Sequence, residues 1–358
     1  MAGASGSVKS GGWILRQGSG RSGFRYRTES GARVTDAATL ARIDALRVPP
    51  GWTRVHVAAS PRSAVQAWGL DARGRKQYRY HDASVERATL RKYYRVRELA
   101  RDLPRIRAAV HADFRRRGFP KERVAAAVVR LISQGFFRVG SERYAQENRT
   151  FGITTLRERH VSVDGDALVF AYVGKRNVHQ RQVVVDPHLV RFVTALLEAP
   201  GPRLFRYQED GRWRDLTARD VNRYLHDRLG VPYTAKDFRT WGGTLRAATV
   251  LAELGPAPNA RQASQNVVTA VRLVAAELGN TPAICRASYV HPIVIARYLD
   301  AGDVIRPRHA RTTRGHEHYQ HAPEERALIA FLDRHFPERR RPRVAARAPG
   351  RERREDAA

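Results

Sequence analysis

The hydrophobic periodicity changes near residue 82, and this change is the strongest constraint on the fold. Between residues 24 and 81, short runs such as WTRVHVA and KQYRYHD alternate apolar and polar residues, as strands with one exposed face do. From residue 82 to about 135, apolar residues recur at helical spacing, as in VAAAVVRLI. We therefore predict an α+β protein with a small β-rich N-terminal domain and a larger, mainly α-helical domain.

The larger domain is also expected to carry a short antiparallel sheet. Residues 158–185 return to strand-like alternation, with turn signals at DGD and GKRN. After Asp186 and Pro187 the helical patterns resume, and one long helix is predicted from Asp237 to Glu253.

Composition suggests the outer bounds of these domains. Residues 1–23 are rich in glycine and serine, so we expect a flexible N-terminus. The β-rich domain then covers residues 24–81, and the larger domain covers residues 82–338. Residues 339–358 are rich in arginine and proline and predict a disordered basic tail.

A GxGxxG pattern occurs at Gly18, Gly20 and Gly23. A dinucleotide site needs this loop to open a helix, yet the following FRYRTESGARV predicts a strand and a turn. We interpret the pattern as a flexible loop.

The charge indicates a polyanionic partner. Lys and Arg number 65 against 35 Asp and Glu, which gives a formal net charge of +30. A GC-rich genome would also inflate arginine, but it would not deplete acidic residues, so nucleic acid is the favoured partner.

No run reaches the ~18 apolar residues of a membrane helix. The N-terminus lacks a secretory signal, and the one cysteine, Cys285, excludes an internal disulfide. We expect a cytoplasmic, nucleoid-associated protein that does not bind membranes.

The segment GNTPAICRASYVHP places Tyr289 in a short polar stretch between two helical patterns. Cleaving a phosphodiester without metal needs a nucleophile, cationic donors for the two non-bridging oxygens and an acid for the leaving oxygen. Arginine suits the second role because its planar fork binds phosphate bidentately. Lysine suits the third because its pKa can fall near other cations. Of six lysines, Lys175 occupies the turn of a strong predicted hairpin, where a solvated turn lysine is the alternative interpretation.

Separated motifs occur along the chain: RVPPGW and GRKQYRYHD in the N-terminal region, and FFRVGSERY with NRTFGITTL, YVGKRNVHQ, AKDFRTWGG and LGNTPAICRASYVHP in the rest. Together they resemble the motifs of type IB DNA topoisomerases of the poxviral and bacterial kind. The resemblance covers roughly residues 24–330, with the motifs in the family's order.

This resemblance implies the roles of five residues. Tyr289 corresponds to the nucleophile that forms a 3′-phosphotyrosyl bond, and Lys175 to the general acid for the 5′ oxygen. Arg138 and Arg239 correspond to the arginines that hold the non-bridging oxygens. Asn280 stands where relatives have histidine or asparagine, and it can donate a hydrogen bond but cannot carry charge. The implied activity needs neither ATP nor a metal or other cofactor.

The family resemblance also implies DNA contacts by Gln77, Tyr78, Tyr80 and Tyr144. Strand alternation places Tyr78 and Tyr80 on one face, as a groove-reading surface requires, although a half-buried aromatic pair would show the same pattern. Tyr144 could equally belong to the core. The protein is expected to bind double-stranded DNA as a monomer.

Three histidines, His316, His318 and His321, occur in HEHYQH. No cysteine or further ligand lies nearby in the sequence, so solvated histidines are favoured over a metal site.

Two other functions fit parts of the pattern. A tyrosine site-specific recombinase uses the same arginine, lysine and tyrosine chemistry, but usually carries histidine where this chain has Lys236 and Asn280. A non-catalytic DNA-binding protein with a decayed site is the second alternative. It is disfavoured because every catalytic position holds a residue capable of its role.

Overall fold

The computed structural model describes residues 12–308 and 319–336. The chain divides into two compact units, Met1–Lys92 and Tyr93–Ala358. Within the described ranges, no helix combines the length and the apolar character needed to span a bilayer. The predicted basic tail at 339–358, together with His316 and His318, lies outside the described residues.

The first unit is built on one antiparallel sheet with the strand order β2-β1-β3-β4-β5. Helix α1 (Ala37–Ala45) follows the N-cap residue Asp36, whose carboxylate accepts a hydrogen bond from the Thr39 amide at 2.8 Å. The core between sheet and helix contains Ile14, Val57 and Ile43. The strands are β1 (Trp13–Ser19), β2 (Gly23–Thr28), β3 (Thr53–Ala58), β4 (Val65–Leu70) and β5 (Lys76–Tyr80).

The expectation of a flexible segment through residue 23 is wrong for its described part. The run Trp13-Ile14-Leu15 forms the start of β1, because Ile14 is buried against the sheet core and pairs with Val57. The glycines of the GxGxxG pattern belong to an ordered β-hairpin, with Gly18 in β1, Gly23 in β2 and Gly20 in the turn between them. Gly18 has φ +96°, and a Cβ there would overlap the Gly23 carbonyl oxygen.

The second unit is mainly helical, as the periodicity predicted. One core runs through it and contains Leu99, Phe137, Phe170, Trp241 and Leu278. The helices that follow the first sheet are α2 (Asp82–Phe114), α3 (Lys121–Gly135), α4 (Glu142–Asn148), α5 (Pro187–Leu197), α6 (Ala218–Arg223), α7 (Ala235–Leu254), α8 (Ala260–Leu278), α9 (Pro282–Ser288), α10 (Pro292–Ala301) and α11 (Pro323–His335).

Two small sheets complete the second unit. The predicted hairpin is present in the antiparallel order β6-β7-β8, with Ala167 paired to Val185 and Gly174 to Val178. A two-stranded sheet was not predicted, because each strand has only four residues and gives no readable alternation. The strands are β6 (Val161–Asp164), β7 (Ala167–Gly174), β8 (Val178–Val185), β9 (Arg206–Glu209) and β10 (Arg212–Asp215). The α+β prediction is confirmed.

Candidate active site

Arg138 follows the C-terminus of α3 in a segment with a fixed backbone. Helix α3 ends at Gly135, and its C-cap residue Phe136 adopts a left-handed conformation with φ +53°. The carbonyl of Arg138 accepts a hydrogen bond from the Ile153 amide at 2.8 Å. Gly140 and Gly152 cross so closely that a Cβ on Gly152 would overlap Gly140. The two sequence segments FFRVG and FGITT therefore hold each other in place.

The Arg138 guanidinium binds the loop before α9. Its Nη2 donates to the Gly279 carbonyl at 2.8 Å and to Asn280 Oδ1 at 2.6 Å. The amide nitrogen Nδ2 of Asn280 is buried near the Cys285 thiol, a weak acceptor, and makes no well-formed hydrogen bond with any described residue. The structure thus joins two predicted site residues and leaves one donor of Asn280 without a well-formed hydrogen bond.

Arg239 lies on α7 and is only 3% exposed. Its Nη2 donates to the Leu278 carbonyl at 2.9 Å, whereas Nε and Nη1 are buried without an acceptor among the described residues. The guanidinium carbon lies 5.4 Å from the centroid of the Tyr289 ring. Burial, and then the charge of Arg138, lowers the pKa of Arg239 to about 10, and the nearby Tyr289 opposes this change.

Two consecutive glycines allow α7 to approach its neighbours. A Cβ on Gly242 would overlap the ring of Phe136, two residues before Arg138. A Cβ on Gly243 would lie 3.0 Å from the carbonyl oxygen of Tyr289. These glycines, in the motif AKDFRTWGG, bring both arginine segments and the tyrosine together.

Tyr289 is the C-cap residue of α9 and is half-buried. Its amide donates to the Cys285 carbonyl at 2.9 Å, and its own carbonyl accepts from Thr244 Oγ1 at 3.2 Å. The hydroxyl of Tyr93 donates to the next carbonyl, that of Val290, at 2.9 Å. The main chain on both sides of the phenol is therefore anchored by buried hydrogen bonds.

Lys175 lies in the tight turn between β7 and β8, as predicted. Arg176 and Asn177 in this turn have φ of +64° and +62°. The Lys175 side chain is exposed and makes no hydrogen bond or ion pair with any described residue. The turn nevertheless adjoins the cluster, because Gln180 on β8 contacts both Gly174 and Gly279.

Sequence reasoning missed two residues close to the arginines. Burial raises the pKa of Tyr172 to about 12 and that of Cys285 to about 11. A hydrogen bond with Gln182 opposes the rise at Tyr172, and the charges of Arg239 and Arg138 oppose it at both residues. The alternation along β7 places Tyr172 on the inward face, three residues before Lys175, so this signal was available. No comparable signal marked Cys285.

Three of the four predicted DNA-contacting residues are exposed, and Gln77 is half-buried. Tyr78 and Tyr80 on β5 are 42% and 51% exposed, and their rings stack with centroids 5.8 Å apart. Gln77 donates from Nε2 to Asp71 Oδ2 at 2.9 Å. Tyr144 on α4 is 45% exposed. None of the three tyrosines is a core residue.

No metal site is evident in the described part of the chain. No group of three or more His, Cys, Asp or Glu side chains there could hold a metal ion. Of the three clustered histidines, His321 is described, and its Nε2 lies 2.6 Å from the Ala100 carbonyl oxygen.

Comparisons with known proteins give consistent matches. The model of the eukaryotic DNA topoisomerase I catalytic core matches residues 81–312, and that of the bacterial DNA topoisomerase IB N-terminal domain matches residues 23–71. DNA topoisomerase 1B of Acanthamoeba polyphaga mimivirus is 30% identical over 293 residues, which cover 80% of this chain and 87% of the viral protein. DNA topoisomerase 1B of vaccinia virus (strain Copenhagen) is 22% identical over 237 residues, or 65% of this chain and 72% of that protein.

Among solved structures, a post-cleavage complex of the XerH site-specific recombinase with its palindromic difH substrate aligns at a TM-score of 0.37. The identity is 14%, and the match covers 56% of this chain and 50% of the recombinase.

Proposed function

The chain belongs to the type IB DNA topoisomerases, and from this premise we propose that it relaxes supercoiled duplex DNA by cutting one strand, letting that strand swivel, and resealing it. Recombination between two sites is the less favoured alternative, because the family assignment is to topoisomerases.

In the proposed cleavage, the phenolate oxygen of Tyr289 attacks the scissile phosphorus. A 3′-phosphotyrosyl bond forms as the bond from phosphorus to the 5′ oxygen breaks. The phenolic proton passes to solvent, and the leaving oxygen takes a proton from Lys175. Religation reverses these steps, because the 5′ hydroxyl attacks the same phosphorus and expels Tyr289. The bond energy is retained in the phosphotyrosine, so neither ATP nor a metal is required.

The observation that carries this proposal is a set of three buried donor atoms that make no well-formed hydrogen bond with any described residue. They are Nε and Nη1 of Arg239 and Nδ2 of Asn280, in the cluster that includes Arg138 and Tyr289. Buried donors in proteins are almost always paired, so this set is suited to an anionic ligand. A phosphate group would accept these hydrogen bonds and also offset the charge of the two guanidiniums.

Lys175 suits the acid role because its turn adjoins this cluster while its ammonium group remains available to a bound strand. We assign Gln77, Tyr78, Tyr80 and Tyr144 to DNA contacts outside the chemical site, supported by the exposure of the three tyrosines. Residues 24–81 would then form a DNA-binding domain and residues 82–338 the catalytic domain. The protein would act as a monomer in the cytoplasm, associated with the nucleoid and not with membranes.

The test is relaxation of a negatively supercoiled plasmid in EDTA without ATP. A denaturant added during the reaction should capture protein joined to the 3′ end of the cut strand. Tyr289→Phe should abolish both relaxation and capture. Tyr233→Phe is the matched control, because the Tyr233 hydroxyl binds Asp102 at 2.8 Å outside the cluster. Relaxation that persisted in Tyr289→Phe would remove the nucleophile assignment.

A further inference from the structure

The side chain of Gln180 lies between two glycines that belong to different motifs. Gln180 is on β8 and is 7% exposed. A Cβ on Gly174 would lie 2.8 Å from its Cγ, and a Cβ on Gly279 would overlap its terminal amide. The stem of one glutamine thus packs on Gly174, and its tip packs on Gly279.

These two glycines immediately precede two of the predicted site residues. Gly174 precedes Lys175, and Gly279 precedes Asn280. Gly279 is also held from another side, since its carbonyl accepts the hydrogen bond from Arg138 at 2.8 Å. Gln180 therefore connects the lysine turn to the arginine and asparagine cluster.

The lysine turn has few restraints of its own. Residues 175–179 are exposed, and Arg176 and Asn177 adopt left-handed conformations. At the tip of the hairpin, Gly174 pairs with Val178, and the next inward-facing side chain on β8 is that of Gln180. A displacement of this side chain would therefore move the turn relative to Gly279.

We propose that Gln180 is a positioning residue for Lys175, fixing the distance between the lysine turn and the phosphate-binding cluster. This inference rests on the proposed function, in which Lys175 protonates the leaving 5′ oxygen. Proton transfer requires donor and acceptor within hydrogen-bond reach, and a misplacement of about 1 Å can slow a reaction by about 10². Gln180 would act through Lys175 and would not itself contact DNA.

The experiment compares two variants on two leaving groups. Gln180→Asn keeps the amide but is one methylene too short to span both glycines, whereas Gln180→Met keeps the length and loses the amide. Single-turnover cleavage is measured on an ordinary strand and on a strand whose scissile 5′ oxygen is replaced by sulfur. The thiolate leaves as an anion and needs no proton from Lys175.

We expect Gln180→Asn to cleave the ordinary strand about 10-fold to 10²-fold more slowly than wild type. On the sulfur-substituted strand its rate should return to within about threefold of wild type, since the acid is no longer needed. The Gln180 amide makes only two long hydrogen bonds, 3.4 Å from Nε2 to the carbonyls of Val178 and His179, and its contact with the glycines is one of packing. Gln180→Met should therefore stay within about threefold on both strands. Lys175→Ala supplies the reference for complete loss of the acid.

Gln182→Ala is the matched control. It changes a second buried glutamine on the same face of β8, and Gln182 is not among the nearest neighbours of Gly174 or Gly279. Any defect it shows should be equal on both leaving groups.

The outcomes separate the inference from the proposed function. If sulfur restores Lys175→Ala but not Gln180→Asn, Gln180 does not act through the lysine and the inference fails. The inference also fails if Gln180→Asn cleaves the ordinary strand at the wild-type rate. It fails likewise if Gln180→Met is as slow as Gln180→Asn. If sulfur does not restore Lys175→Ala, the acid role of Lys175 fails, and this inference fails with it.

Discussion

The guanidinium of Arg239 lies against the ring of Tyr289, with 5.4 Å between its central carbon and the ring centroid. This cation is buried, and two of its nitrogens lack acceptors among the described residues. Its pKa is lowered from 12.5 to about 10, chiefly by burial and then by Arg138. Arg239 therefore stays charged at neutral pH, but holding this charge in the folded protein costs stability relative to the unfolded chain. The unliganded site holds a charge that a bound phosphate would offset.

Arg239→Met is expected to increase the free energy of unfolding at pH 7 by about 1–2 kcal/mol. Removing the poorly solvated charge outweighs the loss of the bond to the Leu278 carbonyl, which contributes about 1 kcal/mol. The same change should slow cleavage by at least about 10². Urea unfolding and single-turnover cleavage measure the two effects.

Arg95→Met is the control for removal of an arginine that packs beside α7. Arg95 binds the buried carboxylate of Asp237 at 2.8 Å, so its loss leaves this anion with hydrogen bonds from Thr234 but without its counterion. This variant should be destabilised by about 3 kcal/mol. A destabilised Arg239→Met would contradict the account of Arg239 given above.

Asn280→Asp is expected to slow cleavage by about 10² or more while keeping the shape of the side chain. Asn280 Oδ1 lies 2.6 Å from Arg138 Nη2, so a carboxylate there would pair with the guanidinium that is proposed to bind phosphate. Asn280→Ala lacks this competing charge and should lose only about tenfold, the effect of one neutral hydrogen bond. If the two variants were equally slow in single-turnover cleavage, Arg138 would not be the phosphate-binding group.

Gly242→Ala and Gly243→Ala should differ, although the residues are neighbours on one helix. A Cβ on Gly242 overlaps the Phe136 ring, so we expect a loss of stability of about 1–3 kcal/mol. A Cβ on Gly243 lies 3.0 Å from the Tyr289 carbonyl oxygen, and the gain in helix propensity from alanine largely offsets this contact. Gly243→Ala should therefore unfold near the wild-type temperature but cleave about tenfold more slowly, because the nucleophile is shifted. Thermal unfolding and single-turnover cleavage measure the two effects. The prediction is contradicted if Gly243→Ala is the less stable variant and Gly242→Ala the slower one.

Much of this structure could be predicted from local pattern. Three features depend only on residues close in sequence. They are the alternation that places Tyr78 and Tyr80 on one face, the hairpin turn at Lys175 and the helical spacing around Arg239. The strand β1 was missed because its seven residues begin in a segment rich in glycine and serine, and its burial depends on the distant partner Val57. The contact of Gln180 with Gly279 joins residues 99 positions apart in the chain, and no local pattern records it.

His160 should make the protein less stable as the pH falls from about 6.5 to about 4. Its ring is buried beside Phe151, and its Nδ1 accepts a hydrogen bond from the Arg157 amide at 3.0 Å. Burial, and then the charges of Arg159 and Arg157, lowers the pKa of His160 from 6.5 to about 4. In this interval the unfolded chain binds a proton that the folded protein does not, so the free energy of unfolding falls by at most about 1.4 kcal/mol per pH unit.

In His160→Asn the amide oxygen can replace Nδ1 as the acceptor, and the contribution of the histidine should vanish. Urea unfolding from pH 7 to pH 4 should therefore show a smaller loss of stability than in wild type. His179→Asn, which removes an exposed histidine, should keep the wild-type profile. Identical profiles for wild type and His160→Asn would show that His160 titrates alike in the folded and unfolded protein.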